Sequence, residues 1–270
     1  MDLGLTGATV VINGGSKGMG RAAAECFAAD GAKVAVLARG KEALDATVAA
    51  LVAAGSPDAL GISTDLTDSD SVDAAFRQVG ERWGELNVLV NAAGPVDVGV
   101  NGFEITSDDE WAATFDIGTM SAVRCVRAAL PLLRAAAWAR IVNVSAHSTK
   151  RQSPGLVAYT AAKAALTSVS KNLSQSLAPQ GILVNTVSPG SFLSEGMKGY
   201  LRALPPERNI DPDDLHDAMR VITEDFGHPA YLPRAGDPSE IGPVIAFVGS
   251  RRNSYMTGAD INVDGGSDFA

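Results

Sequence analysis

Thr9-Val10-Val11-Ile12-Asn13-Gly14-Gly15-Ser16-Lys17-Gly18-Met19-Gly20 opens the stretch that decides the fold. An alanine-rich run from Arg21 to Gly31 follows, then a second apolar run, Lys33 to Ala38, that ends at Arg39. The order reads strand, glycine loop, helix, strand, which is half of a dinucleotide-binding unit. Each glycine has a steric reason. Gly14 lets the chain leave the first strand through a tight turn. Gly18 clears the backbone where a pyrophosphate approaches, and Gly20 lets the helix pack close to the sheet. The helix N-terminus presents free N–H groups and a positive dipole end to such a phosphate.

Apolar runs and helical runs alternate from this unit to the end of the chain. Strands are expected at Asp58 to Thr64, Asn87 to Val90, Arg140 to Ser145, Gly181 to Ser188 and Asp260 to Val263. Helices are expected at Lys41 to Ala54, after an Asp68 cap to Trp83, after Ser107, from Tyr159 to Leu177, and at Pro238 to Val248. The pattern predicts an α/β fold: one Rossmann-like domain over 1–270, with a doubly wound parallel sheet of about seven strands covered by helices on both faces. Residues 192–235 break the rhythm and read as the least regular part of the chain, longer than an ordinary connection.

The 270 residues suit one large domain, and 46% apolar residues suit a substantial core. A formal charge of −9 argues against a nucleic-acid or anionic-membrane partner. The start, MDLGLTGATVVI, has no basic segment before its apolar run, so no secretory signal is expected. No apolar run approaches the ~18 residues of a membrane span. Cys26 and Cys125 have neither metal-ligand nor redox spacing and read as buried thiols in a reducing cytoplasm. His216 and His228 lack a third ligand and read as surface or cover residues, so no metal is expected.

The corner after the second strand bears on cofactor choice. A carboxylate there accepts from the ribose of NAD, whereas a 2′-phosphate needs a cation. This chain has Arg39 and no carboxylate. Further on, Tyr159-Thr160-Ala161-Ala162-Lys163 places a phenol and an amine on one helix face. A free phenol has a pKa near 10, and a nearby ammonium and a positive nicotinamide ring would favour the phenolate. That phenol could give or take a hydroxyl proton.

With these residues quoted, the chain resembles the short-chain dehydrogenase/reductase family. Its loop, G-x-x-x-G-x-G at 14, 18 and 20, is similar to the family's T-G-x-x-x-G-x-G, with Asn13 in place of Thr. Lys17 lies where the family's NADP users often carry a basic residue, so the resemblance with Arg39 favours NADP(H) over NAD(H). Asp65-Leu66 match the pair beside adenine. Asn91-Ala92-Ala93-Gly94 match N-N-A-G with one change. Pro189-Gly190 lead to Ser194, in place of the Thr that contacts the nicotinamide carboxamide. The end, Thr257-Gly258 to Val263-Asp264-Gly265-Gly266, resembles a close that usually lies in a subunit interface. By resemblance a homotetramer is expected.

Two departures stand out. The family's helix Asn aligns with Gly118, where a local irregularity is expected. Thirteen positions before Tyr159, where the family has a carbonyl-binding Ser, stands Ala146. Ser148 is the first substitute, because it returns to the cleft side, and His147 a weaker one. Losing such a donor costs roughly 10²–10³ in rate. The resemblance implies hydride exchange between NADP(H) and a carbonyl or alcohol, with Tyr159, Lys163 and Ser148 as catalytic residues. Met197, Tyr200, Leu201, Leu204, Met219, Val221, Phe226 and Tyr231 suggest a bulky hydrophobic substrate or a self-packed cover. An NAD(H) enzyme and a catalytically weak dinucleotide-binding sensor or assembly protein are the alternatives.

Overall fold

The computed structural model describes residues 2–95 and 102–268. Seven strands form one sheet, β1 (Thr9–Asn13), β2 (Lys33–Ala38), β3 (Ala59–Ser63), β4 (Val88–Asn91), β5 (Ala139–Val144), β6 (Ile182–Pro189) and β7 (Asp260–Val263). Their order is β3-β2-β1-β4-β5-β6-β7, and every pairing is parallel. This is the expected doubly wound sheet. The order reverses after β3, so the chain passes from β1 to opposite sides of the sheet, and the ligand crevice of such folds lies at that switch, outside the carboxyl ends of the strands.

The strand residues explain the two layers. All residues of β1, β4 and β5 are buried, as parallel strands covered on both faces require. Alternate side chains leave by opposite faces. Val10, Ile12, Val34, Val36, Val88 and Val90 join one core with Ala23, Ala24 and Phe27 of α1 (Gly18–Ala29), Leu44 and Leu51 of α2 (Lys41–Ala54), and Ile241 and Ile245 of α9 (Pro238–Val248). Val11, Ala35, Leu37, Leu89 and Ile141 join the other. There they meet Val72, Phe76 and Val79 of α3 (Ser69–Trp83) and Val126, Ala129 and Leu133 of α5 (Ser121–Ala135). The Asp68 carboxylate caps α3 by accepting from the Asp70 N–H at 3.1 Å.

β1 and β4 end in asparagine and β5 carries one just before its last residue, and the register aligns the three. Asn13 pairs with Asn91, and Asn91 with Asn143. The Asn13 amide donates to Asn91 at 2.5 Å, Asn91 to Asn143 at 2.7 Å, and Asn143 to the Ser170 hydroxyl at 2.8 Å. Ser170 belongs to α6 (Val157–Leu177) and donates to the Leu166 carbonyl. All four side chains are buried. This row was not among the expectations from sequence.

Two other expectations need adjustment. The helix after Ser107 is broken: α4 (Asp108–Phe115) passes through a π-helical turn, Asp116–Met120, into α5. The irregularity expected at Gly118 is this turn. Residues 192–235 are more regular than their prolines suggested. They hold α7 (Glu195–Arg202) and α8 (Leu215–Phe226), each started by a capping side chain, Ser194 and Asp214. Among the described residues no helix is long and apolar enough to cross a membrane.

Asn91→Leu strands the Asn13 donor and the Asn143 acceptor in a buried site. Urea unfolding should show a loss of about 2–6 kcal/mol. Asn172→Leu, on the exposed side of α6, should change stability by less than about 0.5 kcal/mol. A loss for Asn91→Leu no larger than that of Asn172→Leu would show that the row holds nothing together.

Candidate active site

The carboxyl edge of the sheet collects the expected residues. Gly14 leaves β1 at a φ of +69°, and a Cβ there would lie 2.7 Å from the Ala93 amide nitrogen. A Cβ on Gly20 would lie 2.4 Å from the Gly14 carbonyl and 3.2 Å from Ala92. These two glycines press the loop, α1 and the β4 tip together. Gly18 differs: it has a φ of +53° with nothing within 4 Å of a Cβ position, so the loop is open there. No side chain caps α1, and its first turn holds no carboxylate. Its N–H groups are left to an anion. Ser16 turns its carbonyl to the Thr47 hydroxyl, and Met19 packs on the core beneath.

Lys17 and Arg39 are both exposed, and neither makes an ion pair among the described residues. Asn13 pairs with Leu37, so the turns after β1 and β2, which carry the two cations, are neighbours. Asp65 lies in the turn after β3. The Thr67 hydroxyl and N–H, at 2.7 and 2.9 Å, hold its carboxyl below the usual range, with Arg39 and Arg124 adding to the effect. Leu66 is buried in the core. The Asn91 side chain is committed at both ends to the asparagine row, so what it can offer a ligand is its backbone.

Tyr159 and Lys163 stand one turn apart on α6. Lys163 is 3% exposed. Its ammonium donates to the Val144 carbonyl at 2.8 Å, and a Cβ on Gly94 would lie 3.1 Å from its Nζ. Burial pushes this amine down to about 8. Tyr159 is half-buried, and burial pushes its phenol up to about 12. The lowering expected from Lys163 is therefore not found in this state: the ammonium faces the β5 tip, and desolvation alone acts on the phenol. The Tyr159 hydroxyl has no hydrogen-bond partner among the described residues.

The neighbours of Ala146 sort themselves by their bonds. Ser145 donates to the Lys163 carbonyl at 3.1 Å and lies 2.8 Å from the Thr167 hydroxyl, so it serves α6. His147 sets Nδ1 3.2 Å from the Pro189 carbonyl. A carbonyl only accepts, so Nδ1 carries the proton and Nε2 is an acceptor. Neutral His147 has no donor left for a substrate carbonyl. The Ser148 hydroxyl is buried and without a partner among the described residues. Gly118 lies in the π turn, where a Cβ would be 3.0 Å from that of Ala162. The missing side chain lets this turn lie against α6, where Thr119 donates to the Ala162 carbonyl at 2.7 Å. At the β6 tip a Cβ on Gly190 would lie 2.6 Å from the Asp264 Cα. Beyond it, the Ser194 oxygen accepts from Met197 N–H, leaving its proton free.

Most of the apolar residues of 192–235 are spent internally. Leu201, Met219, Val221 and Ile222 form a separate core with Leu193, Ala218 and Ala235, against which Met197 and Leu204 pack. Tyr200 meets Phe226 edge-on, while Tyr231 is 68% exposed. His216 is on the surface, with Nδ1 2.7 Å from the Pro233 carbonyl. His228 is not. It is 4% exposed and lies edge-on to His147, ring centres 5.1 Å apart. Sequence reasoning missed this pair because no spacing links two residues 81 positions apart (228 − 147). It also missed the asparagine row, though a repeat near the strand ends, VIN, LVN and IVN, carried the signal.

Comparison with known proteins agrees with this geometry. A family model described as enoyl-(acyl carrier protein) reductase matches residues 14–268. A 2,5-dichloro-2,5-cyclohexadiene-1,4-diol dehydrogenase of Sphingobium indicum is 32% identical over 262 residues, covering 97% of this chain and 96% of the relative. A 3-oxoacyl-[acyl-carrier-protein] reductase of Synechocystis is 30% identical, covering 97% of each. The crystal structure of L-sorbose reductase from Gluconobacter frateurii, complexed with NADPH and L-sorbose, superposes with a TM-score of 0.91 at 27% identity, covering 100% of both chains. The chain belongs to the short-chain dehydrogenase/reductase family and is an oxidoreductase acting on alcohol and ketone groups.

Proposed function

We propose that the protein exchanges a hydride between NADP(H) and a ketone or secondary alcohol, with Tyr159 as the acid/base. The observation that carries this reading is the pairing of a phenol without a partner among the described residues with a buried amine one helical turn away, at the same sheet edge as an uncapped helix N-terminus. The site fits a dinucleotide: the open Gly18 position and the bare first turn of α1 suit its pyrophosphate, and Arg39 and Lys17 suit a 2′-phosphate. Asp65, Leu66, the Asn91–Gly94 backbone, Pro189, Gly190 and Ser194 line the remaining length, and Lys163 would hold the nicotinamide ribose. The bound nicotinamide supplies the hydride or accepts it.

The chain's own residues handle the proton. A phenol held protonated by burial suits donation to the oxygen of a ketone as it gains negative charge. Ser148 is the donor proposed for that oxygen, because Ser145 and His147 are otherwise engaged. Residues 192–235 are proposed to cover the substrate. Their apolar side chains mostly fill their own core, so they lend little support to a bulky hydrophobic substrate. A cytoplasmic homotetramer is part of the same reading. Tyr255, wholly exposed, and Phe247, exposed on α9, offer apolar surface to further copies near the chain's end.

Tyr159→Phe should lower kcat by about 10²–10⁴-fold while the dissociation constant for NADPH stays within about threefold. Unchanged turnover would remove Tyr159 from the reaction, and tight cofactor binding with no turnover in the wild type would favour the sensor reading. Arg39→Asp should weaken NADPH by about 10–100-fold in fluorescence titration, more at low salt, and leave NADH nearly unaffected. Equal effects on both cofactors would mean that Arg39 meets no 2′-phosphate. Sedimentation equilibrium should give the mass of four chains, and a monomer would end the tetramer expectation.

A further inference from the structure

His147 and His228 are two buried polar side chains, among the described residues, that this reaction leaves unused and that meet each other. His147 lies in a short turn, His147–Thr149, that packs on α6, the helix of Tyr159, and reaches the β6 tip through Pro189. His228 follows α8, whose end is tied to the β5–α6 connection by Ser153 donating to the Phe226 carbonyl at 3.2 Å. Nε2 of His147 and both ring nitrogens of His228 are buried without a partner among the described residues. Asp264 and Asp268 act on His147 from the chain's end, and Arg151 acts on both rings from the β5–α6 connection. Burial outweighs these charges and holds both imidazoles below the usual histidine range, His228 at about 4. Both are neutral at pH 7.

A buried hydrogen-bonding group without a partner costs about 1–3 kcal/mol. The three nitrogens therefore define the ligand that would relieve them. Nε2 of His147 accepts only, since Nδ1 holds the proton toward Pro189. Neutral His228 has one donor and one acceptor. An anion would face the Nε2 lone pair. An ether or carbonyl oxygen would leave that lone pair unpaired, and an ammonium would leave the His228 N–H unpaired. A hydroxyl can donate to Nε2 of His147 and accept from the His228 N–H, which serves one group on each ring and leaves only the second His228 nitrogen.

We propose that His147 and His228 form a subsite for a hydroxyl group borne by the substrate close to its reacting carbon, so that the substrates are hydroxy ketones and the corresponding diols or polyols. The inference rests on the hydride-transfer reading. His147 stands next to Ala146, so the subsite adjoins the place of the absent serine. Because the segment bearing His228 closes the nitrogens off from solvent, the substrate enters as that segment moves.

The test compares 3-hydroxy-2-butanone with 3-methoxy-2-butanone, each with NADPH and with NADH. Both carry an electron-withdrawing oxygen beside the carbonyl, but only the first has a proton to donate. The wild type should prefer the hydroxy ketone in kcat/KM by about 10–100-fold. In His228→Phe, which keeps a ring against His147, the preference should fall below about threefold, with the melting temperature recorded for each protein. A wild-type ratio near one, or a ratio unchanged in His228→Phe, would overturn the subsite while leaving hydride transfer standing. If neither ketone is reduced with either cofactor, the reaction itself is in question, and the subsite is judged by saturation-transfer NMR on the wild-type chain. Saturation of 2,3-butanediol but not 2,3-dimethoxybutane supports it, and equal signals overturn it.

Discussion

The amide row from Asn13 through Asn91 and Asn143 to Ser170 is the constraint on which the candidate site depends. It crosses three strands at their carboxyl ends and finishes on α6, the helix that carries Tyr159 and Lys163. Its first member also accepts from the Ala93 N–H at 3.0 Å, which fixes the strand tip against the glycine loop. A parallel ladder alone sets strand spacing but does not place a helix lying over the sheet. Here side-chain hydrogen bonds, shielded from water, tie the loop, the strand tips and the helix into one unit. Loss of its central member, Asn91, orphans a buried donor on one side and a buried acceptor on the other.

The electrostatics of the site follow from the same dryness. Lys163 and Tyr159 are shifted in opposite directions by one cause, loss of water: the amine toward neutrality and the phenol toward its protonated form. The resting pair is thus less charged than the motif alone suggests. The ammonium is held by the Val144 carbonyl, and the β5 tip fixes its position as much as Tyr159's helix does.

Much of this was legible in the chain. The runs Lys33–Ala38, Lys41–Ala54, Pro238–Val248 and Asp260–Val263 coincide with observed elements, because apolar periodicity and capping residues act locally. The family motifs located Gly14–Gly20 and Tyr159–Lys163, and the structure brings both to one edge. What stayed hidden depends on distant partners. Proline-rich stretches between 192 and 235 concealed two capped helices, since the prolines lie outside them. His228 read as a surface or cover residue, and only the fold sets it, buried, against His147. Alternation along the chain favoured Ser148 over Ser145 in sequence, but that Ser145 is engaged with α6 is seen only in its hydrogen bonds.

The separate core within residues 193–235 has a mechanical consequence. Phe192 belongs to the core against the sheet and Leu193 to the separate one, and on the return strand Ala235 belongs to the separate core, just before Gly236. The boundary therefore falls between consecutive residues on both strands, where Phe192 and Gly236 form an isolated parallel bridge. A Cβ on Gly236 would lie 2.5 Å from the Phe192 ring, so the two strands are drawn as close as a side-chain-free residue permits. This makes a neck. Beyond it the α7–α8 body keeps an oily interior of its own, so its packing is divided from the core against the sheet at a single pair of residues.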